Sequence, residues 1–317
     1  MSKTLLEESH EQHVLPSHLQ HILVSDGDGD GQTLVDFAAK IAVPTLAEVT
    51  LCCRADNAPH TERSSPSISS AAVLRAMGLT VFEQPAVGSQ IQQILLADRS
   101  RSIDLMVMTE GSPQLESVCW RPSDSIRVAR VMQRPVIAFG PLAFGPRGKT
   151  TSQGCVVAAV SMGESSHQIV HASKLMGDLL KQPLTVLHAV DLAHEFSRPD
   201  NLASVECGCR LLGDWISRTG AAVSAKISYG PVGEALPRFA TFSSASLIVI
   251  GLDMEEEGKE AQHSDALRQL ILSTAPCPVL LLPTFHAGRD RSQHRTARPP
   301  LKARLFVARK SWDCGVN

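Results

Sequence analysis

One stretch of this chain aligns on another without a gap. The segment VGSQIQQILLADRSRSIDLMVM (Val87 to Met108) meets YGPVGEALPRFATFSSASLIVI (Tyr229 to Ile250), so Gly88 falls on Gly230, Ile94 on Leu236, and LMVM on LIVI. The offset barely changes further on, where RPVIAFGP (Arg134 to Pro141) meets CPVLLLP (Cys277 to Pro283). Register kept across a helix and two strands marks a duplicated unit. Whatever one half folds into, the other half must fold into as well.

Each half alternates short β-branched runs with stretches of helical period. The runs predict strands near 20–25, 48–53, 79–83, 104–109 and 135–139, then near 154–160, 184–190, 222–228, 246–251 and 278–283. Most are apolar throughout, as strands buried on both faces of a parallel sheet must be. Between them, TLVDFAAKIA places Leu34, Phe37, Ala38 and Ile41 on one helical face, and NLASVECGCRLLGDWISR aligns Leu202, Val205, Leu212, Trp215 and Ile216. The expected fold is α/β, with two tandem doubly wound parallel-sheet domains and right-handed crossovers. Ligands on such sheets sit beyond the carboxyl ends of the strands. The expected organisation is an N-terminal extension over 1–19, repeat 1 over 20–141, a Gly/Pro-rich linker over 142–153, repeat 2 over 154–283, and a basic, disordered tail over 284–317.

Composition removes several function classes. With 317 residues, 43% of them hydrophobic, the chain can pack two cores. A net charge of -2 and only 4% aromatic residues leave little to hold nucleic acid specifically. The first residues lack an apolar leader core and no run reaches membrane-spanning length, so the expected location is cytoplasmic. The eight cysteines include one Cys-x-Cys pair, Cys207 and Cys209, with no second pair or spaced histidines, so no metal site is expected.

The LMVM and LIVI strands, the segment GPVGEALPRFATFSSASLIVIG and above all LSTAPCPVLLLP resemble the universal stress protein family. The likeness spans about residues 20–141 and 154–283 as a tandem pair. It implies the adenine nucleotide alpha hydrolase-like fold. It also implies an internal pseudo-dimer of the two repeats, paired through edge or last strands, with a homodimer as a further assembly.

Nucleotide-binding members of that family carry a Gly-x2-Gly-x9-Gly-Ser/Thr loop after the fourth strand. Its glycines let main-chain N–H groups and a helix N-terminus approach phosphate oxygens. In repeat 1 the matching positions are Thr109, Ser112, Pro122 and Ser123: the spacing and the final hydroxyl remain, and every glycine is gone. In repeat 2 Gly251 remains, Met254 takes the second glycine, and Asp265 and Ala266 stand near the Gly-Ser, one residue late. The segment DMEEEGKE sets Asp253 and four glutamates against Lys259, a field that repels a triphosphate. At the end of the first strand the resemblance implies a nucleoside-contacting aspartate. Asp26 matches it, and Ser161 is its twin. The candidate nucleotide site is therefore in repeat 1: Asp26, Thr109, Gly111, Ser112 and Ser123.

Asp26, Asp28, Asp30 and Gly31 also satisfy the opening of a calcium loop, but Phe37 stands where the bidentate glutamate belongs and a strand precedes the loop. His188 is expected as a core or strand-end histidine. No Gly-x-Ser-x-Gly elbow, Gly-x4-Gly-Lys-Ser/Thr loop or His-Glu-x2-His is present. Three readings follow. The leading one is a non-enzymatic stress-response protein with degenerate nucleotide loops, no cofactor, and an unidentified protein or small-molecule partner. The second is a regulator binding ATP through repeat 1, and the third is an ATP hydrolase on the same scaffold.

Overall fold

The computed structural model describes residues 15–16, 18–25, 31–53, 70–85, 89–110, 123–144, 154–161, 165–190, 213, 223–256 and 258–285. The first half contains β1 (His21–Ser25), α1 (Gly31–Thr45), β2 (Glu48–Cys53), α2 (Ser70–Ala76), β3 (Val81–Pro85), α3 (Gln90–Ser100), β4 (Leu105–Thr109), α4 (Asp124–Met132) and β5 (Val136–Phe139). The second contains β6 (Val156–Ala159), α5 (Ser166–Leu180), β7 (Leu184–Val190), β8 (Ser224–Tyr229), α6 (Val232–Phe242), β9 (Leu247–Asp253), α7 (Gly258–Thr274) and β10 (Val279–Thr284). All ten expected strands are there, each within a few residues of its expected bounds. The Leu202–Ile216 stripe, Cys207 and Cys209 lie outside the described residues.

The strands form one sheet in the order β3-β2-β1-β4-β5-β10-β9-β6-β7-β8. Each half is parallel throughout, and the halves meet where β5 and β10 pair antiparallel, with Val136 opposite Leu281, Ile137 opposite Leu280 and Ala138 opposite Val279. The second half thus repeats the first about a pseudo-two-fold axis at this seam. Pro283 lies past the paired stretch Val279–Leu281, so its missing N–H is not needed by β5.

Alternation along each strand feeds two apolar layers. Ile22 and Val24 pack with α1, α2 and α5, whereas Leu23 faces the opposite layer under α3, α4, α6 and α7. On α1 the expected stripe is buried: Leu34, Phe37, Ala38 and Ile41 line the first layer, and Phe37 meets Phe139 edge-on at 5.4 Å. A capping box of Ser89 and Gln92 starts α3. Ser123 starts α4, its hydroxyl accepting from the Ile126 N–H.

The antiparallel seam has a consequence for the sites. Strands of the two halves run in opposite directions, so the C-terminal turn of each half's last helix lies over the carboxyl strand ends of the other half. In the first half's last helix, that turn carries Arg130, which meets the end of β9. In the second, the backbone of Leu272 meets Gly140, just past β5, so closely that a Cβ at Gly140 would collide with the Leu272 carbonyl oxygen.

Candidate functional site

A cavity of about 410 Å³ opens at the carboxyl ends of β6, β7 and β9 in the second half. Its walls are mainly apolar: Val160, Ile169, Leu187, Leu236, Ile250 and Ile271 come from the strands and from α5, α6 and α7. Polar groups gather on one side, among them His188, Asp253, Glu256, Arg268 and Thr284. His188, expected as a core or strand-end residue, is half-buried at the cavity, its Nδ1 2.9 Å from the Val160 carbonyl oxygen.

The polar side is an ionic cluster. Arg268 donates from Nε to the Gly251 carbonyl at 3.0 Å, and from Nη1 to Asp265 at 3.0 Å and Glu256 at 3.2 Å. Asp265 has no solvent exposure and accepts a second guanidinium, that of Arg130, through Nε at 3.1 Å and Nη2 at 2.8 Å. Arg130 also donates to the Asp253 carbonyl at 3.0 Å. Fork-to-carboxylate pairing of this kind is the strong form of an ion pair.

The second half differs from the family's phosphate-binding pattern in a physical way. Helix α7 begins at Gly258, seven residues before Asp265, so from Gln262 onward the stretch that should be an open loop spends its N–H groups within the helix. Gly251, the retained glycine, has a packing reason: a Cβ there would meet Ile169 Cδ1 at 3.0 Å and Thr284 Cγ2 at 3.4 Å.

In the first half, Thr109 ends β4 and is buried, and Ser123 is engaged as the α4 cap. Asp26, Gly111 and Ser112 lie outside the described residues. Between the two placed residues stands one that sequence reasoning missed. Glu110 follows β4, and its carboxylate receives the Ser125 hydroxyl at the N-terminus of α4. Burial pushes its pKa from 4.5 up to about 7, the Asp124 carboxylate adds to the rise, and the Ser125 and Ser123 hydroxyls and a backbone contact oppose it. The side chain thus places the protein's own carboxyl group at a helix N-terminus, the position an incoming phosphate would need. No helix among the described residues is long and apolar enough to cross a membrane.

No family model matches the sequence, and no curated protein matches it significantly. Solved structures do match in fold. A candidate universal stress protein from Pseudomonas aeruginosa is 20% identical, over 84% of this chain and 94% of that one, with a TM-score of 0.63. A functionally unknown protein from Pseudomonas aeruginosa PAO1 is 19% identical over 93% and 98%, with a TM-score of 0.63. A universal stress protein from Archaeoglobus fulgidus is 13% identical over 85% and 98%, with a TM-score of 0.58. The chain has the universal stress protein fold, laid down twice within one polypeptide and joined into a single sheet.

Proposed function

We propose that this is a non-enzymatic, cytoplasmic stress-response regulator that binds a small, largely apolar ligand in its second half and no nucleoside triphosphate. The observation that carries the reading is the cavity of about 410 Å³, apolar in most of its wall, at the strand ends where doubly wound sheets hold ligands. Its polar side supports the exclusion of triphosphate. Arg268 already shares Asp265 and Glu256, and Asp253 adds a further carboxylate, so a polyphosphate meets repulsion without a free Lys or Arg among the described lining residues to offset it. In the first half, Glu110 at the start of α4 acts in the same sense. Pairing of β5 with β10 inside one chain makes the tandem protein its own pseudo-dimer.

Calorimetry of the full chain with magnesium and ATP should give no micromolar binding. Nile red, an uncharged and mostly apolar dye, should bind with a fluorescence rise that Val232→Trp, which fills the cavity, removes. Micromolar ATP affinity abolished by Asp26→Ala would move the site to the first half and refute the exclusion. Dye binding unchanged by Val232→Trp would refute the cavity.

A further inference from the structure

We propose that the second half's cavity is a composite site: Arg130, from the first half, is a positioning residue that fixes the cavity wall through Asp265 and Arg268. Ligand occupancy in the second half is thereby coupled to the last helix of the first. This rests on the cavity being the ligand site, as proposed above.

The chain of contacts is continuous. Arg268 lines the cavity and is only 9% exposed, and its guanidinium is held by Gly251, Glu256 and Asp265. Asp265 cannot hold Arg268 by local means alone. It is fully buried, and two of its three hydrogen bonds come from Arg130, whose two-pronged contact fixes the plane of the carboxylate. Arg130 also reaches the Asp253 carbonyl at the end of β9 and stands 3.8 Å from Glu256. One side chain from α4 therefore touches three residues, Asp253, Glu256 and Asp265, of which the first two line the cavity. Removing it leaves the buried carboxylate with one cation in place of two and releases the Asp253 carbonyl and Glu256 at the cavity wall.

The duplication supplies an internal comparison. By the register the repeats keep on both flanks of the last helix, the twin of Arg130 is Ser273, and the twins of Asp265 and Arg268 are Pro122 and Ser125. None of the three can form the network, so the coupling runs only from the first half into the second. A structural tie between halves would need no such asymmetry, because the seam of β5 and β10 already joins them.

The test uses the full-length protein and Nile red. Arg130→Met should weaken dye affinity at least tenfold, and Arg130→Lys, which keeps the charge without the fork, should recover part of that loss. Saturating dye should slow amide exchange in α4 of the wild type, although α4 supplies no residue to the cavity wall. Val24→Ala, in the first half's core and outside this network, serves as a stability control and should leave affinity within about twofold. Wild-type affinity in Arg130→Met, or no added protection in α4, overturns the coupling while leaving the cavity reading intact. Absence of dye binding by the wild type overturns both.

Discussion

The substitution Glu110→Gln isolates a single buried titration, because glutamine keeps the shape of the side chain and removes the ionisation. The folded carboxyl titrates at about 7 against an ordinary 4.5, with burial as the main cause. Above pH 4.5 the unfolded chain releases this proton while the native state retains it. Stability therefore falls as pH rises, until the folded carboxyl itself ionises near pH 7 and the loss levels off. The gap of about 2.5 pH units, at about 1.4 kcal/mol each, sets a ceiling of about 3.5 kcal/mol. Because Glu110 is only partly exposed, most of that should survive solvent screening, and about 2 kcal/mol is expected. Urea unfolding followed by circular dichroism between pH 4.5 and 8.5 gives the measurement. The quantity to read is the difference between wild type and Glu110→Gln, in which other titrating groups cancel. The two proteins should be equally stable near pH 4.5, with the variant the more stable by about 2 kcal/mol at pH 8.5. A difference that stays flat across this range refutes the buried-carboxylate argument.

Gly140→Ala should destabilise the chain by about 3 kcal/mol or more, since the new methyl meets the backbone of Leu272 and no side chain can yield; urea midpoints would show it. Asp265→Asn should cost about 3–5 kcal/mol by leaving Arg130 and Arg268 facing each other, and added salt should recover part of the loss. Leu46, 82% exposed with φ of 54°, sits in the left-handed region without a packing reason, so Leu46→Gly should raise the thermal midpoint, a gain of about 0.5–1 kcal/mol. Failure of the midpoint to rise would mean that flexibility gained by the unfolded chain cancels the relief of strain.

How much of this was legible in the sequence depends on the distance over which each feature is encoded. The strands were, because runs such as LMVM and LIVI must be buried on both faces and cannot serve elsewhere. The stripe on α1 was, because Leu34, Phe37, Ala38 and Ile41 repeat at helical spacing. Ser123 was legible on two grounds that the sequence does not separate: a hydroxyl at the end of a phosphate-loop spacing is also what a helix start requires, and it caps α4. Glu110 was missed because a glutamate after a strand looks solvated until the fold sets Ser125 against it. Arg130 was missed for the deepest reason. It is separated from Asp265 by 135 residues, and no periodicity or local motif connects them.

The duplication could have supplied the missing signal if it had been read for differences as well as matches. Two copies of one unit related by a pseudo-two-fold axis must place equivalent residues at equivalent points of the seam. Where both copies keep the same chemistry, packing is a sufficient account, as with the paired apolar strands β5 and β10. Where one copy has Arg130 and the other Ser273, the seam is treated differently on its two sides. The serine there only donates its hydroxyl to the Leu270 carbonyl of its own helix. An arginine demands a carboxylate, because a guanidinium in a poorly hydrated seam is stable only when paired. The partner must then be an acid on the other half's last helix, at the point where its own first-half twin is a proline. Asp265 is that acid. Asymmetry within a duplicated chain thus singles out one half, and it is a further ground on which we propose the cavity of the second half as the ligand site.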